Sequence, residues 1–399
     1  MGSESQGGDE PERSPFPFGI DLGQFAQMLQ SSGPVNWEIA RQVALGVALE
    51  GASDPVVAPA DREQFDELTR AAQTLVVGET GLAATFRAPV ELLGPGAWAE
   101  LHLRVLRPVL ETLATTLAEG MTPENEEGEA EAAGDPFAAL MPMIVPVLLG
   151  LQAGSMAGFL ARHALGRYDL PLPATDEPTL VFVVGHIDDF EREWSLPRAD
   201  LRFYVALHEV VHAAVRSVPW VRERLVRLAQ EYVGGYQIDP GAIEMSFGSL
   251  DPTDPSSFET VAQDPEALLG AMRSPAQDIP LRELEVLTSV LEGYADTVLE
   301  RVGRRMLPSF DQITEAMRRH RIERGEAERF IGKFLGLELD RAAYERGDAF
   351  CAGVVERAGP EGLNRLFERE EMVPTPAEIE APGLWLARIE LPERPPDDA

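Results

Sequence analysis

Two histidines and a glutamate within five positions are the side chains of this chain best suited to chemistry. His208, Glu209 and His212 stand in the segment VALHEVVHAAV, whose other members are uncharged. Residues four apart on a helix share one face, so both imidazoles can reach a single metal ion. Glu209 projects toward the same side and can take a proton from metal-bound water without binding the metal. The spacing predicts a catalytic metal helix; the alternative is a core helix whose histidines are only hydrogen bonded.

A third protein ligand must come from elsewhere in the chain, because a catalytic zinc ion usually takes three and leaves the fourth position to water. Val215 and Val218 stand where a metzincin sequence would have its glycine and its third histidine. Glu292 and Asp296 are four apart in LTSVLEGYADTVLERV, a segment with apolar residues at helical spacing. We expect Glu292 to bind the metal and Asp296 to hydrogen bond the far nitrogen of a ligand histidine, with His208 as the favoured partner. The alternative is the solvated edge of an amphipathic helix.

A hydrolytic metal site also needs a donor that stabilises the oxyanion of the tetrahedral intermediate. Tyr294 and His320 are candidates for this role, together with Tyr232 and Tyr236. The alternative for the tyrosines is core packing, which is the more common role of tyrosine on such helices. Cys351 is not expected to be a nucleophile, because no histidine-bearing motif lies near it and a buried inert thiol is the default.

Two apolar segments outside the motifs are the elements expected to pack around the candidate site residues. Residues 179–187, TLVFVVGHI, predict a strand before the metal helix, whose edge either receives an extended substrate or pairs within an ordinary sheet. Residues 136–160 carry no charge and are long enough to span a bilayer. However, Pro142 and Pro146 should break a helix near its start, and Gly150, Gly154 and Gly158 form a stripe that lets another helix approach closely. We therefore predict a buried helix, with a membrane span as the alternative.

The charge balance excludes several classes of partner. The chain has 399 residues, with 34 basic against 67 acidic side chains and a net charge of −33. That sign argues against binding to nucleic acid or to an anionic membrane surface. The single cysteine excludes an intramolecular disulfide framework, and residues 1–19 show no secretory signal pattern. These features favour a cytoplasmic protein.

The motifs also resemble those of a known group of enzymes. HEVVH followed about 80 residues later by EGYAD is similar to the gluzincin arrangement of thermolysin-type zinc peptidases. More closely, the chain resembles a bacterial family of zinc-dependent metalloproteases and hydrolases, related to proteins associated with deazaflavin-cofactor biosynthesis. The similarity runs from about residue 30 onward through VNWEIARQVA, LGRYDLPLP, LVFVVGHIDDFERE, SLPRADLRFYVALHEVVHAAV, VLEGYAD, YERGDAF and PTPAEIEAPGLWLARI. Gly185 and His186 stand where Pro-Asn is expected, so His186 is given no inherited role.

The resemblance implies a zincin-like fold that is mainly α (α+β), with a small β element, a bound Zn²⁺ and peptidase activity. Composition divides the chain into a disordered tail at 1–19 and an N-terminal helical region at 20–175 with an acidic loop at 122–135. The zincin-like catalytic region follows at 176–391 with a surface loop at 248–280, and a second tail occupies 392–399.

Three functions remain open at this point. The first is an intracellular zinc metallopeptidase that acts on a peptide or protein, with Glu209 as general base. The second is a zinc amidohydrolase that acts on a non-peptide small molecule. The third is a non-catalytic protein that uses a structural or vestigial zinc site as an interaction scaffold. The sequence indicates no oligomeric state.

Overall fold

The computed structural model describes residues 33–82, 87–120, 136–237, 272–322, 332, 334–336 and 341–390. Within these residues the chain is mainly α-helical and has two short strands, as predicted. The predicted tails at 1–19 and 392–399, the acidic loop at 122–135 and most of the loop at 248–280 lie outside the described residues.

In the described part of the chain, five helices, α1 to α5, precede the helix that carries the metal motif His208, Glu209 and His212. Their bounds are α1 Trp37–Leu49, α2 Pro59–Thr80, α3 Pro95–Gly120, α4 Pro136–Ala161 and α5 Val184–Trp194. The metal motif lies on the next helix, and the bounds of this helix and those that follow are α6 Arg198–Arg216, α7 Pro219–Gly234, α8 Asp278–Met306, α9 Phe310–Ile322, α10 Arg341–Asn364, α11 Pro376–Ile379 and α12 Pro382–Glu390.

The glycine stripe of α4 packs directly against α1. A Cβ atom at Gly150 would lie within 3.0 Å of the backbone oxygen of Asn36, and one at Gly154 would lie within 3.0 Å of that of Ala40. Gly158 lies one turn further along and leaves room for Val47. The predicted close approach of a second helix is therefore confirmed. Among the described residues, no helix combines the length and apolar character that crossing a bilayer requires.

The prediction that prolines break this helix is wrong, because α4 runs from Pro136 to Ala161 through both Pro142 and Pro146. Each proline removes one helical hydrogen bond. Close packing of α4 on α1 compensates for that loss. The contact includes a hydrogen bond from the backbone N–H of Asn36 to the carbonyl oxygen of Pro146, at 2.8 Å.

The predicted strand at 179–187 is much shorter in the structure. Strand β2 covers Leu180–Phe182 and pairs in parallel with β1, Val90–Leu92. From Val184 the chain is helical, and Val184, Ile187 and Phe190 are its buried residues. Apolar residues at three-residue spacing belong to a helix face, and the run of valines before them concealed that spacing. The strand prediction is therefore wrong beyond Phe182.

The far edge of β2 is covered at one residue. Gly166 and Phe182 form an antiparallel bridge, and the N–H of Val183 donates to the carbonyl of Leu165 at 2.9 Å. Because β1 pairs with the other side of Phe182, this edge is not open to an extended substrate at that position. The segment that covers it, Leu165 to Asp169, is called here the GRYD loop.

The metal helix α6 lies in the middle of the protein. All of its residues from Tyr204 to Arg216 are buried, and α2 and α8 both pack against it. The loop predicted at 248–280 ends earlier than expected. Ser274 and Gln277 form a capping box around the 3-10 turn Pro275–Gln277, and α8 begins at Asp278. These capping hydrogen bonds satisfy the first backbone donors, so helical structure starts within the predicted loop.

The α1–α4 contact gives a stability prediction. Gly154→Ala would push a methyl group into the backbone oxygen of Ala40, so we expect it to lower the free energy of unfolding by about 1–3 kcal/mol. Gly78→Ala on α2 is the matched control, because nothing lies within 4 Å of its added Cβ. It should be neutral or stabilise by up to about 1 kcal/mol. Urea denaturation of the two variants checks this, and equal midpoints would contradict the packing.

Candidate metal centre

The helix α6 holds the three residues of the metal motif close together and away from solvent. The rings of His208 and His212 have centroids 4.4 Å apart. The exposed fractions of His208, Glu209 and His212 are 3%, 0% and 1%. Burying three ionisable side chains side by side costs hydration free energy that other groups must offset, so such a cluster on a central helix indicates a site rather than ordinary packing.

The helix α8 brings Glu292 to the same place. Its Oε1 lies 3.9 Å from Nδ1 of His212, and the side chain is buried. Two atoms bound to one zinc ion at about 2.1 Å each lie no more than about 4.2 Å apart. The observed distance therefore allows both atoms to bind one ion, although the two residues are 80 positions apart in the chain.

A contact between two glycines holds α8 at this position. A Cβ atom at Gly293 would lie within 3.0 Å of the backbone of Gly347 on α10, and one at Gly347 would overlap the backbone of Ser289. The helices α8 and α10 therefore cross with their backbones in contact, directly beside Glu292. Both glycines belong to motifs that carried the family resemblance, EGYAD and ERGDAF.

The carboxylate of Glu209 is held by the GRYD loop. The backbone N–H of Arg167 donates to Oε2 at 2.9 Å, and that of Tyr168 donates to Oε1 at 3.0 Å. A Cβ atom at Gly166 would overlap Oε1, so only glycine leaves room for the carboxylate here. The indole N–H of Trp98 fixes the loop from behind by donating to the Gly166 carbonyl at 2.7 Å. Burial raises the pKa of Glu209 to about 7, against the lowering effect of the two N–H groups.

The same loop contributes a further carboxylate, which sequence reasoning missed. One donor atom each from Asp169, His208 and Glu209 lie within 4.8 Å of one another. Asp169 also accepts the backbone N–H groups of Leu165 and Gly166, at 2.5 and 3.1 Å. The available signal was the segment LGRYDLPLP, which the resemblance included without assigning it a role.

A second missed residue is Arg216, one turn beyond His212 on α6. Its Nη1 lies 2.9 Å from Nδ1 of His212, and its Cζ lies 4.9 Å from the centroid of the Tyr168 ring. Tyr168 in turn stacks on His212, with centroids 6.0 Å apart. Burial lowers the pKa of Arg216, while the negative charge of Glu292 opposes that shift. The signal in the sequence was the four-residue spacing of His208, His212 and Arg216.

The structure places Asp296 one turn beyond Glu292 on α8, where its side chain is half-buried. Burial, the charge of Asp348 and the charge of Asp296 together raise the pKa of the Cys351 thiol. That thiol is fully buried and contacts the carbonyl oxygen of Val290 at 3.9 Å, in agreement with an inert cysteine. The contact of Asp296 with His208 stays a prediction.

The predicted oxyanion donors have packing contacts of their own. The hydroxyl of Tyr294 donates to Oδ1 of Asn364 at 2.7 Å, and its ring meets Phe367 edge-on. The half-buried ring of His320 on α9 meets Phe190 edge-on, with centroids 5.2 Å apart. The role of Tyr294 and His320 as oxyanion donors stays a prediction.

Three further residues from the sequence analysis, Tyr232, Tyr236 and His186, can also be placed. The hydroxyl of Tyr236 donates to the Phe334 carbonyl at 3.2 Å and lies 3.5 Å from the hydroxyl of Tyr232. His186, which received no inherited role, lies on α5 with its Nδ1 2.9 Å from the carbonyl of Ala164.

The donor set fits a zinc ion. Two imidazoles and a carboxylate are ligands that Zn²⁺ prefers, and catalytic sites commonly combine these three. All three side chains are buried, and the His212–Glu292 distance is compatible with a shared ion. His208, His212 and Glu292 are therefore the residues that would hold it.

Comparison with known proteins supports this interpretation. Residues 35–386 match a protein family described as zincin-like metallopeptidase. A solved structure from Chloroflexus aurantiacus, described as a candidate hydrolase with a novel fold, is similar to the chain, with a TM-score of 0.61 and 26% sequence identity. The match covers 90% of this chain and 100% of that one. No curated protein sequence matches.

The GRYD loop gives a prediction about Glu209. Gly166→Ala would displace the carboxylate from the N–H groups of Arg167 and Tyr168, so we expect the free energy of unfolding to fall by about 1–3 kcal/mol. Gly185→Ala on α5 is the control, since its added Cβ meets nothing within 4 Å. Chemical denaturation of the metal-free proteins measures both. If the Gly166 variant keeps wild-type stability, the loop does not hold Glu209 as described.

Proposed function

Because the chain belongs to the family of zincin-like metallopeptidases, we propose that it is a zinc-dependent hydrolase and, more specifically, a metallopeptidase. The single observation that carries the proposal is the 3.9 Å approach of His212 and Glu292, with His208 one turn away on the same helix. The similarity to a candidate hydrolase supports the coarser statement. A peptide or protein substrate and a cytoplasmic location are part of the proposal.

In the proposed mechanism, His208, His212 and Glu292 would hold the zinc ion. When bound, zinc would supply a water molecule with a pKa of about 7 and would polarise a substrate carbonyl. Glu209 would accept a proton from the attacking water on a carboxylate oxygen and deliver it to the leaving amine. The N–H groups of Arg167 and Tyr168 fix the orientation of this carboxylate.

The enclosure of the site adds one requirement to this mechanism. The carboxylate of Glu209 is fully buried under the GRYD loop, and the three proposed ligands are each no more than 4% exposed. A substrate carbonyl can reach them only when part of the structure that covers the site moves. The contact of the GRYD loop with Glu209 must persist during that movement, because it orients the proposed base.

The same enclosure favours a second candidate, a zinc amidohydrolase that acts on a small non-peptide molecule. A polypeptide needs an extended open surface, and the edge of β2 is covered at Phe182. A small amide would need a smaller displacement of the structure that covers the site. Parallel assays with a peptide library and with a panel of small amides separate the two candidates. Bound zinc with no hydrolysis in either assay would favour the non-catalytic scaffold.

A set of variants tests the metal site and the base together. We expect about one zinc ion per chain in the wild type, retained in Glu209→Gln and lost in His212→Ala. Hydrolysis should be abolished in both variants and in the wild type treated with a chelator. Metal analysis and the peptide-library assay provide the measurements.

The matched controls are His163→Ala and Glu193→Gln, both at exposed positions. They should keep wild-type zinc content and activity. Equal zinc content and equal activity in all five proteins would refute the assignment.

Asp296→Asn tests the proposed contact behind the ligands. If Asp296 hydrogen bonds a ligand histidine, its replacement should weaken zinc binding by about 10–100-fold, because the ligand loses basicity and orientation. Competition with a chromophoric chelator measures the dissociation constant. An unchanged constant would leave Asp296 with no role in the metal site.

A further inference from the structure

A buried guanidinium occupies the place beside the proposed ligands where a cation is expected. Arg216 is 2% exposed, and its Nη1 lies 2.9 Å from Nδ1 of His212. The same Nδ1 atom lies 3.9 Å from Oε1 of Glu292. Nδ1 of His212 therefore lies near both a carboxylate oxygen of Glu292 and the guanidinium of Arg216. The positive charge next to this nitrogen comes from a side chain of the protein.

We propose that Arg216 stands in for the metal ion in the metal-free protein, so that zinc must displace its guanidinium from His212 in order to bind. This inference concerns regulation of the same site and rests on the zinc-binding part of the proposed function. It assigns to Arg216 a positioning role and no part in bond breaking.

Hydrogen-bond chemistry gives the first argument. A guanidinium has N–H donors and no acceptor, so the contact requires that Nδ1 of His212 accept with its lone pair. A neutral imidazole that accepts at Nδ1 carries its proton on Nε2. In this state the lone pair is already used and the other nitrogen is protonated. Neither ring nitrogen of His212 is then ready to bind a metal ion until Arg216 moves.

Electrostatics gives the second argument. The carboxylate of Glu292 is buried, and a buried carboxylate requires a nearby positive charge. Nδ1 of His212 lies 2.9 Å from Nη1 of Arg216 and 3.9 Å from Oε1 of Glu292, so a zinc ion held by His212 and Glu292 would lie close to the guanidinium. Two cations this close repel each other, so binding of zinc disfavours the inward position of Arg216.

The bonding of Arg216 gives the third argument. Among the described residues, its Nε and Nη2 have no hydrogen-bond partner. Arg202, at the other end of the same helix, is equally buried but donates to Asp61 and Asp188 at 2.7 and 2.8 Å. Arg202 is therefore fixed by two carboxylates, whereas the bond to Nδ1 of His212 is the short hydrogen bond that Arg216 must break to move.

The test is the zinc affinity of Arg216→Met, which keeps the length and apolar stem of the side chain without its charge. We expect zinc to bind this variant about 10–100-fold more tightly than the wild type, because no charged hydrogen bond must first be broken. Competition with a chromophoric chelator at fixed pH measures the affinity. Arg198→Met is the control, since it removes one positive charge at the exposed start of the same helix and should leave the affinity unchanged.

The outcomes separate this inference from the proposed function. If the wild type binds zinc and Arg216→Met binds it equally or more weakly, the displacement is refuted and the zinc site stands. If zinc binds only to Arg216→Met, the displacement is supported and the wild-type zinc enzyme is refuted. If neither protein binds zinc, both proposals fail.

A second measurement uses the wild type and does not depend on the variant folding. Nitrogen NMR of metal-free protein labelled at its six histidines reports which ring nitrogen carries the proton. His212, identified by comparison with His212→Asn, should be protonated at Nε2 and unprotonated at Nδ1. A protonated Nδ1 in the metal-free protein would overturn the inference.

Discussion

The hydrogen bonds from the N–H groups of Arg167 and Tyr168 to Glu209 are the interaction on which the site depends. They satisfy a carboxylate that has no access to water, and leaving such a group unsatisfied would destabilise the central helix. They also tie a loop that precedes β2 to the helix that carries the metal motif. Three features of the fold hold this loop in position. Gly166 leaves room for the carboxylate, Trp98 hydrogen bonds the Gly166 carbonyl, and Gly166 bridges to the edge of β2.

Close contacts at glycine residues determine how near two pairs of helices approach. In the α1–α4 and α8–α10 pairs the backbones lie so close that a side-chain atom at the glycine would not fit between them. At Gly293 and Gly347 this contact lies beside Glu292, so the position of a proposed ligand is determined by backbone packing rather than by a flexible loop. A preformed ligand geometry of this kind reduces the ordering that metal binding must bring about.

The sequence was informative where the signal is local. Residues four apart on α6 had to share a helix face, and a stripe of glycines had to receive another helix; both follow from helix geometry. The end of β2 was misjudged because Val183 and Val184 suit a strand and a helix equally, and the buried contacts of Ile187 and Phe190 decided the outcome. The prolines of α4 were misjudged because the compensating contact comes from α1, about 100 residues earlier.

The GRYD loop and Arg216 could not be assigned because their roles arise from contacts between distant segments. The backbone N–H groups that bind Glu209 lie 41 and 42 positions before it. No local sequence pattern predicts that a backbone N–H will bind a distant side chain. Arg216 had a local spacing signal, but an arginine one turn beyond a histidine is common on solvated helices. Only its burial distinguishes it, and burial is a property of the whole fold.

The burial of Cys351 has a practical consequence. It is the single cysteine of the chain, it lies one turn beyond Gly347 on α10, and its sulfur faces the carbonyl of Val290 on α8. An alkylating reagent reaches this thiol only when the structure around it opens. The rate of thiol labelling therefore reports opening events in the region of the α8–α10 contact, and it needs no engineered probe.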